Sequence, residues 1–109
     1  MILFKAYHAP LILAGKKTQT RRRGKKRWIV GHTHQAKVSY MAKPFATLRV
    51  LALREEPLSH ISDADAIAEG YLNRNDYFQA FLNIYGENDP DEVVWVLAFE
   101  CVPSPQAAP

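Results

Sequence analysis

Behind Gly15 the chain sets an amine, two hydroxyls and a guanidinium close together, in Lys17, Thr18, Thr20 and Arg22, and Glu69, followed by Gly70, offers a carboxylate from the distant half. A hydroxyl such as that of Thr20 becomes a nucleophile only when a base takes its proton. Two groups qualify as that base. Lys17 does so only as a neutral amine; a free lysine titrates near about 10.4, so the site must lower it by about three units for that form to be common at pH 7. Burial and the neighbouring Lys16, Arg21 and Arg22 push in that direction, and ionised Glu69 pushes against it. If Lys17 keeps its charge, Glu69 is the base, acting through Thr20 or a water, and Lys17 steadies developing negative charge. Thr18 and Arg22, on the strand face of Thr20, are candidate substrate-binding groups, Arg22 through a planar fork suited to a carbonyl or phosphate. The plainer alternative is a structural Lys17–Glu69 ion pair beside a β-forming threonine.

The densest basic segment, Arg21-Arg22-Arg23-Gly24-Lys25-Lys26-Arg27, suits phosphates without specifying a base sequence. Lys16, Arg21, Arg23, Lys25, Lys26 and Arg27 are its nucleic-acid-binding candidates. By composition it also matches a basic sorting signal, but it runs directly into apolar Trp28-Ile29-Val30 and reads as folded. Gly15-Lys16-Lys17-Thr18 is not a phosphate-binding loop, because the glycine required ahead of a Gly-Lys-Thr unit is absent. His32, His34, His60 and Cys101 have no recognised ligand spacing, so neither a metal nor another cofactor is expected. Trp28 and Trp95 are candidate stacking surfaces for a base, with core packing the simpler role for Trp95.

Elements must bring these groups together. Residues 1–5 open as a short apolar strand. Ala9-Pro10 followed by Leu11-Ile12-Leu13-Ala14 predicts a brief helix with proline in its first turn, stopped by Gly15 as a left-handed cap, which leaves Lys16 and Lys17 on the exit turn. Residues 18–23 should be extended, with Thr18, Thr20 and Arg22 on one face and Gln19, Arg21 and Arg23 on the other. Residues 28–30 are a candidate strand or bend, residues 31–34 a turn and residues 36–41 a strand. Residues 45–54 form a longer strand whose Ala46, Leu48, Val50 and Ala52 share the buried face, with Pro57 as its end. Ser62 with Asp65 three residues on is a relative of the capping box, so a helix begins near Asp63. Ala64, Ile67, Ala68 and Tyr71 give its apolar stripe, and Gly70 closes it with Glu69 on the last turn, where the helix dipole disfavours a carboxylate. Asn73 caps a second helix with Tyr77, Phe78, Phe81, Leu82 and Tyr85 as its core stripe, ending at Gly86. An acidic turn around Asp89-Pro90 follows, and residues 93–99, apolar on both faces, read as a central strand. Strands outnumber helices, which fall in two places, so the class is α+β, with a small β-barrel and flanking short helices as the way to remove sheet edges.

At 109 residues the chain is one domain, residues 1–102, with a loose tail over residues 103–109 expected to be disordered. Hydrophobic residues at 48% and charged residues at 23% exclude disorder and coiled coil for the bulk of it. Its apolar runs fall far short of the roughly 20 residues that cross a bilayer. With no secretory leader and a lone cysteine, Cys101, a soluble cytoplasmic protein without a membrane partner is expected. The net charge of +3 conceals a separation: 13 of the 14 Lys and Arg lie at or before Arg54, and all 11 acids lie at or after Glu55. Either the two halves neutralise each other in the fold, or part of the excess faces a polyanion.

Leu13-Ala14-Gly15-Lys16-Lys17-Thr18-Gln19-Thr20-Arg21-Arg22 resembles the G-x-K-T-x-T-x-R signature of the ASCH (activating signal cointegrator homology) domain, a relative of the PUA RNA-binding fold. Leu58-Ser59-His60-Ile61 leading into Ala66-Ile67-Ala68-Glu69-Gly70-Tyr71 is similar to the family's helix ending in Glu-Gly and an aromatic, and Val94-Trp95-Val96-Leu97-Ala98-Phe99-Glu100 to its final strand. The resemblance covers roughly residues 1–102. It implies a PUA-like barrel with flanking helices, a cleft lined by the signature, and a modified nucleoside or RNA as partner. Small bacterial members include the N(4)-acetylcytidine amidohydrolases, whose catalytic lysine, threonine and glutamate match Lys17, Thr20 and Glu69. The resemblance thus implies an amide hydrolase that removes an acetyl group from N(4)-acetylcytidine or a related acylated nucleoside. A non-catalytic RNA-binding module and a ribonuclease of the same fold are the alternatives. Gly31-His32 stands where many relatives carry glycine followed by an acid.

Overall fold

Two stretches rich in apolar and β-branched residues build the centre of the sheet. In the computed structural model, which describes residues 1–86 and 89–103, Val93–Val102 (β5) runs antiparallel to Ala46–Pro57 (β4), from Val102 opposite Thr47 to Val93 opposite Pro57. Gln19–Arg22 (β2) pairs with the other edge of β5, and Thr33–Lys37 (β3) with the other edge of β4. The two-residue Ile2–Leu3 strand (β1) adds to β3 in parallel, giving the order β1-β3-β4-β5-β2. The fold is α+β, and the expected barrel takes the form of a five-stranded, curled half-barrel. Between its edge strands, Arg22 Nη2 of β2 donates to the Leu3 carbonyl of β1 at 2.7 Å.

Leu48 and Val50 face the core as strand alternation predicts. The register then shifts between Val50 and Ala52, a bulge that turns the expected Ala52 outward and packs Leu53 against the core instead. No strand forms over residues 28–30. β3 starts at Thr33, earlier than its apolar pattern suggests, because pairing with β4 from Thr33 opposite Arg49 orders it. Ile2, Phe4, Leu48, Val50, Leu97 and Phe99 of the sheet region close on Ile12 and Trp28 to make the main core.

The segment joining β4 to β5 folds into a 3-10 turn, Leu58–His60, and two helices, Asp63–Ala68 (α2) and Arg74–Tyr85 (α3). Both start as their caps predict: Ser62 Oγ accepts from the Asp65 amide at 3.0 Å and Asn73 Oδ1 from the Asp76 amide at 2.9 Å. Leu58, Ile61, Ala66, Tyr77 and Phe81 form a second cluster, while Leu82 and Tyr85 stay at its exposed rim. The apolar stripe expected on α2 is not the buried one. Ala64 and Ile67 are exposed, and Ala66 and Glu69 turn inward, because Asp65 docks the helix on β2 through Gln19 Nε2 and Arg21 Nη2, both at 3.3 Å. Asp89 closes a turn by accepting the Asp91 and Glu92 amides, whereas residues 87–88 of the expected acidic turn and residues 104–109 of the expected tail lie outside the described residues. Among the described residues no helix is long and apolar enough to cross a membrane.

Candidate functional site

Two helix ends built the same way supply the amine and the carboxylate. Ala9–Leu13 (α1) carries Pro10 in its first turn and ends with Gly15 at φ +73. The Gly15 amide donates to Ile12 O at 3.1 Å and the Lys16 amide to Leu11 O at 2.8 Å, the paired bonds of a Schellman motif. The next side chain, Lys17, enters the interior and is 2% exposed. α2 closes likewise: the Gly70 amide, at φ +99, donates to Ile67 O, and the Tyr71 amide to Ala66 O, both at 2.9 Å. Glu69 is the C-cap, 3% exposed. The Thr18 amide then ties the two ends together by donating to Ala68 O at 2.8 Å, and Phe99 N donates to Thr18 O at 3.0 Å, holding both against β5.

Lys17 Nζ consequently donates to the Glu69 backbone carbonyl and stands 3.9 Å from Glu69 Oε1. Thr20, three residues on and buried, accepts at Oγ1 from Arg22 Nε at 3.0 Å. The Arg22 guanidinium lies 5.0 Å from the centre of the Phe4 ring. Lys17, Thr20, Arg22 and Glu69 line one cavity of about 340 Å³, with Tyr71, Tyr77, Phe81 and Tyr85 as aromatic walls. This size lies within the range of small-molecule sites.

Burial sets the protonation of the site. It lowers Lys17 from the ordinary lysine value to about 8, with Glu69 opposing and Arg22 assisting. It raises Glu69 to about 7, against the pull of Lys17, Arg21 and Arg22. Tyr71 and Tyr77 are pushed above the usual phenol range, chiefly by burial, and stay neutral. An amine and a carboxylic acid that both titrate near neutrality are suited to moving protons.

A further cavity residue was not anticipated. His8 is 5% exposed, with its ring centre 5.2 Å from that of Tyr71 and 4.4 Å from that of Tyr7. Burial first, then Lys17 and Arg22, lower its pKa to about 4, so it is a neutral imidazole. His8 Nε2 and Glu69 Oε2 are both buried with no hydrogen-bond partner among the described residues. Gly70 makes room for the ring, since a Cβ there would lie 3.3 Å from His8 Cδ2 and 3.2 Å from Leu11 Cδ1. A lone histidine before a short helix has no spacing that would single it out; only the three-dimensional packing does.

The remaining candidates separate. The Thr18 side chain is exposed and does not line the cavity, so its part is played by its backbone. Arg22 lines the cavity with its guanidinium already engaged by Thr20 and Leu3. Arg21, expected on a solvated phosphate-binding face, has a fully buried side chain paired with Glu56 and, at 3.3 Å, with Asp65, because its strand face lies beneath α2. Arg23 pairs with Glu92 at 2.7 Å and lies 4.9 Å from the Tyr85 ring centre. Lys16, Lys25, Lys26 and Arg27 are exposed. Trp28 belongs to the core, and Trp95 is half-buried with its indole N–H donated to Gly24 O at 3.1 Å. Among the described residues no three His, Cys, Asp or Glu side chains converge as metal ligands would.

No family model and no curated protein matches this sequence. Solved structures do match the fold. An ASCH domain from Lactobacillus crispatus JV V101 superposes with a TM-score of 0.76 at 18% identity, over 92% of this chain and 76% of its own. A protein from Enterococcus faecalis V583 gives 0.69 at 22%, over 88% and 67%. An ASCH protein from Zymomonas mobilis gives 0.66 at 14%, over 92% and 67%. The chain thus spans two-thirds to three-quarters of the length of these proteins, and what it shares with them is the ASCH-domain fold.

Proposed function

We propose that this chain, with its ASCH-domain fold, is an amide hydrolase that removes the acetyl group from N(4)-acetylcytidine or a related acylated nucleoside, with Lys17, Thr20 and Glu69 as catalytic residues. The observation that carries this reading is their convergence, from two helix ends and a strand, on one aromatic-walled cavity of about 340 Å³. Glu69, titrating at about 7, is the base that takes the Thr20 hydroxyl proton. Thr20 Oγ1 bonds to the acyl carbon, and the C–N bond breaks as the proton passes from Glu69 to the exocyclic nitrogen. Water then attacks the acylated Thr20 with Glu69 again as base, the acyl–Oγ1 bond breaks as that proton passes from Glu69 to Thr20 Oγ1, and acetic acid is released. Lys17, still mostly protonated near neutrality, steadies the oxyanion formed in both steps, and the Arg22 Nε–H on Thr20 Oγ1 favours its alkoxide character.

Cytidine release from acetylcytidine, followed chromatographically, tests this directly. Lys17→Ala, Thr20→Val and Glu69→Gln should each lose at least about 100-fold in turnover while keeping the wild-type circular dichroism spectrum. A wild-type protein that releases no cytidine, or folded variants with normal turnover, would overturn the assignment.

A further inference from the structure

The catalytic reading leaves a second cavity unused. It measures about 520 Å³ and shares Leu3, Arg22 and Tyr85 with the first, so Arg22 stands in the wall between the two. Its chemistry differs from that of its neighbour. Arg22, Arg23 and Arg27 line it together with His34, and no carboxylate does so among the described residues. Arg23 meets Glu92 and lies over Tyr85, while Arg27 is exposed. His34 Nε2 is buried with no partner among the described residues, leaving one hydrogen-bonding position open. With Arg23 shared with Glu92, the exposed Arg27 and the open position on His34 in a concave recess with no carboxylate among its described lining residues favour an anion with several acceptor oxygens.

A nucleotide is a flat base joined through a sugar to a phosphate. An aromatic recess and a cationic recess, adjoining across Leu3, Arg22 and Tyr85, present the same order. We infer that the second cavity holds a phosphate of the substrate, so that the chain acts on an acylated nucleotide or strand in preference to the free nucleoside; what occupies the first cavity rests on the reading above. Arg27 supplies the charge-assisted contact that a neutral nucleoside cannot use, and His34 supplies a further hydrogen bond.

Binding measured by calorimetry on the full chain tests this without any need for turnover. Cytidine, its 5′- and 3′-monophosphates and a cytidine trinucleotide are compared at two salt concentrations. At least one monophosphate should bind about tenfold or more tightly than cytidine, with the advantage shrinking in Arg27→Ala and at high salt, and inorganic phosphate should compete. A trinucleotide that binds far more tightly than either monophosphate marks a strand as the source of the phosphate; equal affinities mark a mononucleotide. Equal binding of cytidine and both monophosphates, or an advantage that Arg27→Ala leaves intact, overturns the inference. Phosphate-dependent binding without acetylcytidine hydrolysis would sink the catalytic reading alone, and hydrolysis without phosphate preference would sink this one alone.

Discussion

Lys17 and Glu69 form a pair in which burial works against both charges while each charge supports the other. The balance brings the amine down to about 8 and the carboxyl up to about 7. If Glu69 acts ionised and Lys17 protonated, kcat/KM should rise as pH passes about 7 and fall as it passes about 8, giving a narrow maximum between them. A profile flat from pH 6 to pH 9 would contradict those roles. His8 is the neutral counterpart in the same cavity, and its unpartnered Nε2 is costly to bury unless a ligand meets it. His8→Phe should therefore reduce kcat/KM for acetylcytidine about tenfold, and His8→Gln, which keeps a polar tip, should recover part of the loss; equal rates in all three proteins would leave the imbalance structural. The spacing of Lys17 and Thr20 was readable in the chain, as was the carboxylate before Gly70. His8 was not, because a single imidazole carries no periodic signal. Arg21 misled for a related reason: both faces of a strand beneath a helix are buried, and alternation alone does not reveal it.

At the scale of elements, the site depends on two glycines that end helices. Gly15 and Gly70 both sit at positive φ, +73 and +99, but only Gly70 also faces crowding, from His8 and Leu11. Gly15→Ala should cost about 1 kcal/mol, the strain of a side chain in the left-handed region. Gly70→Ala adds displacement of the His8 ring and should cost about 2 kcal/mol or more, with loss of activity beyond that of Gly15→Ala. Denaturant midpoints of the two variants make the comparison, and equal costs would mean that the His8 contact is slack. These stops were legible because glycine after a short apolar run has one dominant use. The buried face of α2 was not, since a helix of six residues has too few positions for periodicity to outweigh one polar anchor, here Asp65 on Gln19 and Arg21. The bulge in β4 was invisible for the same reason: Val50-Leu51-Ala52-Leu53 is apolar throughout, and only the register with β5 decides which residues turn in.

Across the whole molecule, pairing of β2 and β4 with β5 lays the basic first half beside the acidic second half. Arg21 with Glu56 and Asp65, Arg23 with Glu92, and Arg49 with Glu100 each join the two. The sequence shows that separation of charge, and the number and placing of its predicted strands and helices imply the α+β class, but the parallel addition of β1 to β3 is a long-range choice that no local pattern encodes. The buried ionisable groups give the folded chain a characteristic response to acid. Glu69 titrates higher in the fold than in the unfolded chain, so its contribution is fully present below about pH 4.5 and lost as pH rises through about 7. His8 titrates lower in the fold, so its contribution is present above about pH 6.5 and lost as pH falls through about 4. Lys17 stays protonated in both states below pH 6.5 and adds no slope there. Between pH 4.5 and 6.5 the two contributions oppose each other. Relative to wild type, Glu69→Gln should therefore gain stability as pH rises across this interval and His8→Phe should gain as it falls, each by a swing of about 10 °C in Tm for a domain of this size. Thermal melts of the three proteins at half-unit pH steps measure it, and difference curves that run parallel would show that at least one of the two groups titrates in the fold as it does in water.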